Sequence, residues 1–401
     1  MLEPQSPALF VLLIAMFAVL IWRTLVTRRA AFRVLVACLA FVPAMVFGVL
    51  AVNKYYGYYQ TWGSMAADLT QQGPNAASGV PDVKLAADSR SGTLDGSRSH
   101  LKMAQRQGYL MRLMVTGQRS HLTREVYVYL PPQYFQLAYR SYRFPAIELI
   151  HGHPGVPQDW VTVVGVTRAY DQLLAGKLAK PAVLVMPDAN GGDRISLQCL
   201  NQVGGPQDLT YLAADLPAQI AHVLRVAPPG RAWGVAGYSE GGFCAANMAL
   251  RYPQRFGFAG VLSGYFAPLD NQPDGSGVLV SPFGGDNRLR EQNTPLDELL
   301  NLPGGLALPR FWLGAGGADS QDVASAERFW QELRPRQPDA PLTLTPGSGH
   351  TMTTWRAQVP SMLSWMTPRL TQMARQAGTR PARTATVAHR GRVAGLGVSR
   401  R

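Results

Sequence analysis

Two long apolar runs near the start, residues 8–26 (ALFVLLIAMFAVLIWRTLV) and 34–52 (VLVACLAFVPAMVFGVLAV), restrict the folds open to this chain more than any other feature. Each has 19 residues, and at 1.5 Å of rise per residue a helix of that length nearly covers a hydrocarbon core of about 30 Å. With no water there, each run must satisfy its own backbone hydrogen bonds, and a helix does so. Arg23, Arg28, Arg29 and Arg33 cluster at the connection, whereas only Glu3 is charged before the first run. The positive-inside rule therefore puts the connection in the cytoplasm and both ends outside. The expectation is a two-span hairpin in the cell membrane with an extracytoplasmic remainder and membrane lipids as its surroundings. A single uncleaved anchor is the next reading. A cleaved signal peptide wants a basic stretch before its apolar run, and MLEPQSP has none.

The aromatic cluster NKYYGYYQTW follows the spans and suits either a membrane–water interface or the first packed turn of an outer domain. Residues 71–100, rich in Gly, Ser, Asp and Ala, read as a linker. The C-terminal tail is Arg, Ala, Thr and Gly with few large apolar groups and reads as disordered. The expected division is 1–52 hairpin, 53–105 juxtamembrane segment and linker, 106–368 globular domain, and 369–401 tail. The formal charge of +13 belongs mostly to the tail and the inter-span connection, so no nucleic-acid partner is expected.

From residue 110 the chain alternates short β-rich runs with amphipathic ones. LMRLMVTG, REVYVYLP, FPAIELI, PAVLVMP, RAWGVAGY, GFAGVLSG, PRFWLGAGG and APLTLTP read as strands. LTYLAADLPAQIAHVLRV, GGFCAANMALRYP and SAERFWQEL read as helices. Such alternation implies an α/β fold with a mostly parallel sheet covered on both faces, its chemistry at the carboxyl ends of the strands.

Gly237-Tyr238-Ser239-Glu240-Gly241 is a G-x-S-x-G placed between a strand and a helix, which is where a nucleophile elbow holds its serine. A Gly-rich turn with an inert serine is the alternative. A serine hydroxyl needs a histidine base, itself oriented by a carboxylate. After Ser239 the only histidines are His350, in the loop PGSGHTMTTW, and His389, in the tail, so His350 is the candidate base. The candidate acid is Asp319, first after the strand PRFWLGAGG, with Asp322 in reserve and Asp286 third. Either Asp319 or Asp322 could instead cap the following helix. The backbone N–H groups of Glu240 and His153 are the candidate oxyanion donors, because Pro154 has none. His151-x-His153 lacks a third ligand nearby, so neither a metal nor another cofactor is expected. Cys199 and Cys244 are candidates for a disulfide in an oxidising exterior, against two reduced buried thiols.

The segments IELIHGHPGVPQDW, VMPDANGG, GYSEGGFCAANMALRYPQRF, GAGGAD and GSGHTMTTW occur in an order that resembles the esterase family of α/β-hydrolases, which includes esterase D and the mycobacterial mycolyltransferases. The resemblance covers roughly residues 105–368. It implies the α/β-hydrolase fold and a serine-dependent acyl hydrolase or acyltransferase with Ser239, Asp319 and His350 as its triad. The hairpin ahead of it resembles membrane-anchored actinobacterial members with an outward-facing catalytic domain. From that address the substrate is expected to be an ester among lipids, glycolipids or cell-wall components. Many relatives have an apolar residue where this chain has Glu240, whose carboxylate would favour a cationic substrate group if it faced the pocket. The rival from another class is a non-catalytic envelope protein that keeps the fold for binding.

Overall fold

The computed structural model describes residues 2–69, 104–192, 195–269, 272–273, 279–303 and 307–378. The stretch read as a linker and most of the Arg-rich tail lie outside the described residues.

Helices α1 (Pro7–Val26) and α2 (Ala30–Tyr56) form an antiparallel pair, with Phe10 edge-on to Phe47 at 5.3 Å between ring centroids and Lys54 Nζ 5.0 Å from the Phe10 ring. Helix α2 passes through Pro43 and runs four residues beyond the apolar stretch. Both helices are long and apolar enough to cross a membrane, a test that a signal sequence also passes. Their large side chains, Val11, Trp22, Leu25, Phe41 and Met45 among them, point outward, unlike those of a core helix in a soluble protein. The two free ends of the pair meet: Gln5 Nε2 donates to Tyr59 O (3.1 Å), and the Trp62 N–H to Glu3 Oε2 (3.2 Å).

The globular part is built on eight strands: β1 (Tyr109–Thr116), β2 (Thr123–Leu130), β3 (Ala146–Ile150), β4 (Val183–Pro187), β5 (Gly230–Tyr238), β6 (Phe256–Leu262), β7 (Arg310–Gly316) and β8 (Leu342–Thr345). Their order across the sheet is β1-β2-β4-β3-β5-β6-β7-β8. The β1–β2 and β2–β4 pairs are antiparallel and the rest parallel. Alternate residues feed opposite faces, as the strand repeat requires. Trp233 and Val235 of β5 join one core, and Ala236 and Tyr238 join the other.

One face carries α4 (Leu216–Val223), α5 (Glu240–Arg251) and α6 (Ser320–Leu333). The other carries α3 (Val166–Ala175) and α7 (Met352–Gly378). The architecture is the α/β-hydrolase fold, with a mixed, mostly parallel sheet behind two apolar helices. Strand order reverses between β3 and β5, so the crevice at their carboxyl ends is the topological switch point, where ligands of such sheets bind.

Two sequence expectations need correction. The stretch read as one helix over 209–226 is a short α turn, a π turn (Tyr211–Asp215) and α4. Pro217 has no N–H to offer the carbonyl four residues back, and Arg255 Nη1 donates to that Ala213 oxygen at 3.1 Å instead. The boundary at 368 is also too early: α7 continues to Gly378, and Leu370 is fully buried against the sheet.

Candidate active site

Ser239 follows β5 directly and precedes α5, at φ 56° and ψ −121°. A non-glycine residue there is strained and persists only where its surroundings hold it. What holds it is close backbone packing: a Cβ on Gly237 would lie 2.1 Å from Gly241 O, and one on Gly241 2.2 Å from Ile150 O. Only glycines let strand, turn and helix approach so far, which is the physical content of the motif.

The loop after β4 braces the same turn twice. Ser196 Oγ donates to the Glu240 carboxylate, and Cys199 is disulfide-bonded to Cys244 on α5. The loop is itself anchored on Asp188, whose Oδ1 accepts the N–H groups of Asn190 (3.1 Å), Gly191 (2.7 Å) and Gly192 (3.2 Å). Burial alone would raise the Asp188 pKa, but His151 and the Asn190 and Gly191 N–H groups outweigh it and hold the carboxyl below its ordinary value.

His350 hangs from the β8–α7 loop. Its Nε2 lies 2.8 Å from Ser239 Oγ and its Nδ1 2.8 Å from Asp322 Oδ2. The loop is pinned by Thr354 Oγ1 donating to Gly349 O (2.6 Å), and the Trp355 ring meets the imidazole edge-on at 5.1 Å. Trp355 in turn stacks on Tyr238 at 4.5 Å.

Asp322, not Asp319, faces the imidazole. Asp319 is the N-cap of α6, its Oδ1 accepting the N–H groups of Gln321 and Asp322 at 3.0 Å each. Standing first after the strand, it takes the position that caps a helix best, and the cap sets the turn on which Asp322 projects. Asp286 caps the short helix Asn287–Glu291 in the same way.

His153 lines the cavity beside Ser239. The turn that carries it runs so close that a Cβ on Gly152 would lie 3.1 Å from Ser239 Cβ. The Glu240 N–H begins α5, where the first N–H groups of a helix lack an acceptor one turn back. The Glu240 side chain is buried and directed to Ser196, outside the cavity, so the suggested preference for cationic groups loses its basis.

His151 is no ligand in waiting. Its Nδ1 is 2.8 Å from Gly152 O, and its Nε2 accepts the Ala189 N–H at 3.0 Å. Asp319, Asp322 and His350 do gather three donor atoms within 4.8 Å of one another. Each already has a hydrogen-bonding task, and both nitrogens of His350 are engaged.

Ser239 opens into a cavity of about 280 Å³. Tyr56 and Tyr58, from the end of the apolar hairpin, form part of its wall together with Met352 and Trp355. The sequence reading left these four without a role in the site. The tyrosine cluster was visible, but the fold that carries it to Ser239 was not. The arrangement offers a hydroxyl, an imidazole and a carboxylate in series at one end of a partly apolar pocket, the set required to deprotonate an alcohol as it attacks a carbonyl.

Comparison with known proteins speaks to family and fold. The Esterase family model matches residues 118–366. An uncharacterized protein of Corynebacterium glutamicum is 24% identical over 352 residues, covering 85% of this chain and 78% of its own length. Among solved structures, a ferulic acid esterase superposes with a TM-score of 0.55 at 18% identity, covering 66% of this chain and 99% of its own. An S-formylglutathione hydrolase from Agrobacterium tumefaciens gives 0.52 at 19% identity, covering 66% and 96%. At these identities the two structures speak for the fold alone.

Proposed function

Since the chain belongs to the esterase family of α/β-hydrolases and is a carboxylic ester hydrolase-like enzyme, we propose that it transfers acyl groups through Ser239, with His350 as base and Asp322 as the carboxylate that orients it. The hydrogen-bonded series Ser239–His350–Asp322, 2.8 Å at each link, carries this reading.

Ser239 Oγ attacks the ester carbonyl carbon while His350 Nε2 takes its proton. Asp322 holds the Nδ1–H and stabilises the imidazolium that forms. The negative charge developing on the carbonyl oxygen is met by the backbone N–H groups of Glu240 and His153. The carbon–oxygen bond to the leaving alcohol then breaks, and His350 returns the proton to that alcohol. The acyl group, now on Ser239, passes to water or to an acceptor hydroxyl by the same steps in reverse. The helical hairpin spans the cell membrane twice and holds this chemistry at the outer face, and the substrate is an ester of a lipid, glycolipid or wall component.

Labelling of the folded protein by a fluorophosphonate tests the assignment. An adduct on the native chain that is missing from Ser239→Ala supports it. No adduct, or equal labelling of both, leaves a binding protein that has merely kept the fold. Adding a simple alcohol with an ester substrate then separates hydrolysis from transfer by whether the new ester appears.

A further inference from the structure

The cavity beside Ser239 is not made by the globular part alone. Tyr56, the last residue of α2, and Tyr58 close one side of it. Their placement is built in. Tyr58 Oη lies 3.4 Å from Pro154 O. The Arg356 guanidinium donates to Gly57 O (3.1 Å) and to Val163 O (2.7 Å), joining the hairpin end to the sheet domain. Gly57, at φ 72°, sits so close to α7 that a Cβ would lie 2.3 Å from Thr353 Oγ1. Asn53 closes the turn from within, its Nδ2 donating to Tyr59 O (2.9 Å) and its Oδ1 accepting the Tyr59 N–H (2.7 Å).

These contacts fix how far the cavity stands from the apolar run. That run ends at Val52, four residues before Tyr56, or about 6 Å along a helix. The headgroup layer on each side of a bilayer is about 5–8 Å deep. With the hairpin in the membrane, Tyr56 lies at headgroup depth and the cavity lies beside it. Lys54, Tyr55 and Tyr56 at the end of α2 are the residue types that populate that layer, and Tyr55 is 71% exposed. The volume of about 280 Å³ falls at or just below the smallest small-molecule sites, roughly 300 Å³. A long-chain ester could place only its reacting end in such a space, and the rest of its tail would lie outside, where only hydrocarbon would spare it the cost of meeting water.

We propose that the substrate is a long-chain acyl ester resident in the bilayer, which enters sideways past Tyr56 and Tyr58 while most of its tail stays in the hydrocarbon. This rests on the membrane-spanning hairpin and on acyl transfer through Ser239. In the transfer, Ser239 Oγ bonds to the lipid carbonyl carbon, the bond from that carbon to the alkoxy oxygen breaks, and the proton of Ser239 travels by His350 to the departing oxygen.

The test uses the full chain co-reconstituted in vesicles of ether-linked phospholipid, which offers no acyl ester, with a long-chain fluorogenic diacyl ester as probe. At constant bulk ester, tenfold dilution within the bilayer should lower the rate about tenfold. A rate that follows bulk concentration overturns the proposal. In a second arm a dansyl fluorophosphonate is attached at Ser239. Quenching by headgroup-spin-labelled lipid several-fold stronger than by aqueous iodide supports the placement, and the reverse order overturns it. If Ser239 takes up the probe and cleaves a short water-soluble ester yet fails these arms, only the bilayer route falls. If Ser239→Ala cleaves the short ester as well as the native chain does, acyl transfer through Ser239 falls, and the proposal with it.

Discussion

Asp322 Oδ2 lies 2.8 Å from His350 Nδ1, and Asp322 reaches that position from the first turn of a helix whose N-cap is Asp319. Two neighbouring carboxylates therefore have separable tasks, one on the imidazole and one on the backbone. Asp322→Asn should lower kcat by about 10²–10⁴, because the imidazole loses its orienting charge and tautomer. Asp319→Ala should cost about 1 kcal/mol of stability as a lost cap and lower kcat by less than about tenfold. Steady-state kinetics and urea unfolding of both variants check this. A larger kcat loss for Asp319→Ala would reverse the assignment.

The Cys199–Cys244 bond spans 45 residues and ties the loop after β4 to the helix behind Ser239. Replacing both cysteines by serine should destabilise the fold by about 2–4 kcal/mol, chiefly by freeing the unfolded chain. The denaturation midpoint should fall and the slope rise, because the freed unfolded chain exposes more surface. A midpoint unchanged within error would mean that Ser196–Glu240 and the packing of α5 suffice.

The architecture was readable because the strands that carry it are short apolar runs separated by turn residues, and the Ser239 turn has glycines that no other geometry explains. That His350 would stand beside Ser239 was readable because only His389 competes with it after Ser239. The carboxylate that faces His350 was not readable. Nearness to a strand end is a one-dimensional criterion, whereas the choice between Asp319 and Asp322 is made by which carboxylate the new helix needs as its cap. The share of the pocket owned by Tyr56 and Tyr58 was equally hidden, since nothing local in NKYYGYYQTW says that Arg356, 299 residues after Gly57, will clamp its backbone.

Glu298 lies against the end of α5, 3.4 Å from Arg251 Nη1. Burial pushes its carboxyl up to about 8, an effect that Arg251 only partly offsets. A group that binds its proton more tightly in the folded state contributes stability in full below its unfolded value, near 4.5, and loses it as pH climbs through about 8. Glu298→Gln cannot ionise and should flatten the fall in stability between about pH 5 and 8. Urea midpoints of the two proteins across that range measure it. Parallel curves would contradict the shift.

Gly57→Ala places a methyl group against Thr353 in a backbone conformation that resists it. The hairpin end should lift from the domain, with amide exchange over residues 53–59 faster by about tenfold or more and the central sheet unaffected. Unchanged exchange there would show that the Arg356 clamp holds without the close approach.

The most direct measurement is the intact mass of the enzyme acid-quenched during its first turnovers of an activated ester. An added mass equal to the acyl group, located on the Ser239 peptide and missing from Ser239→Ala, is the result expected. Continued turnover with no adduct, or turnover that survives Ser239→Ala, would contradict acyl transfer through this serine.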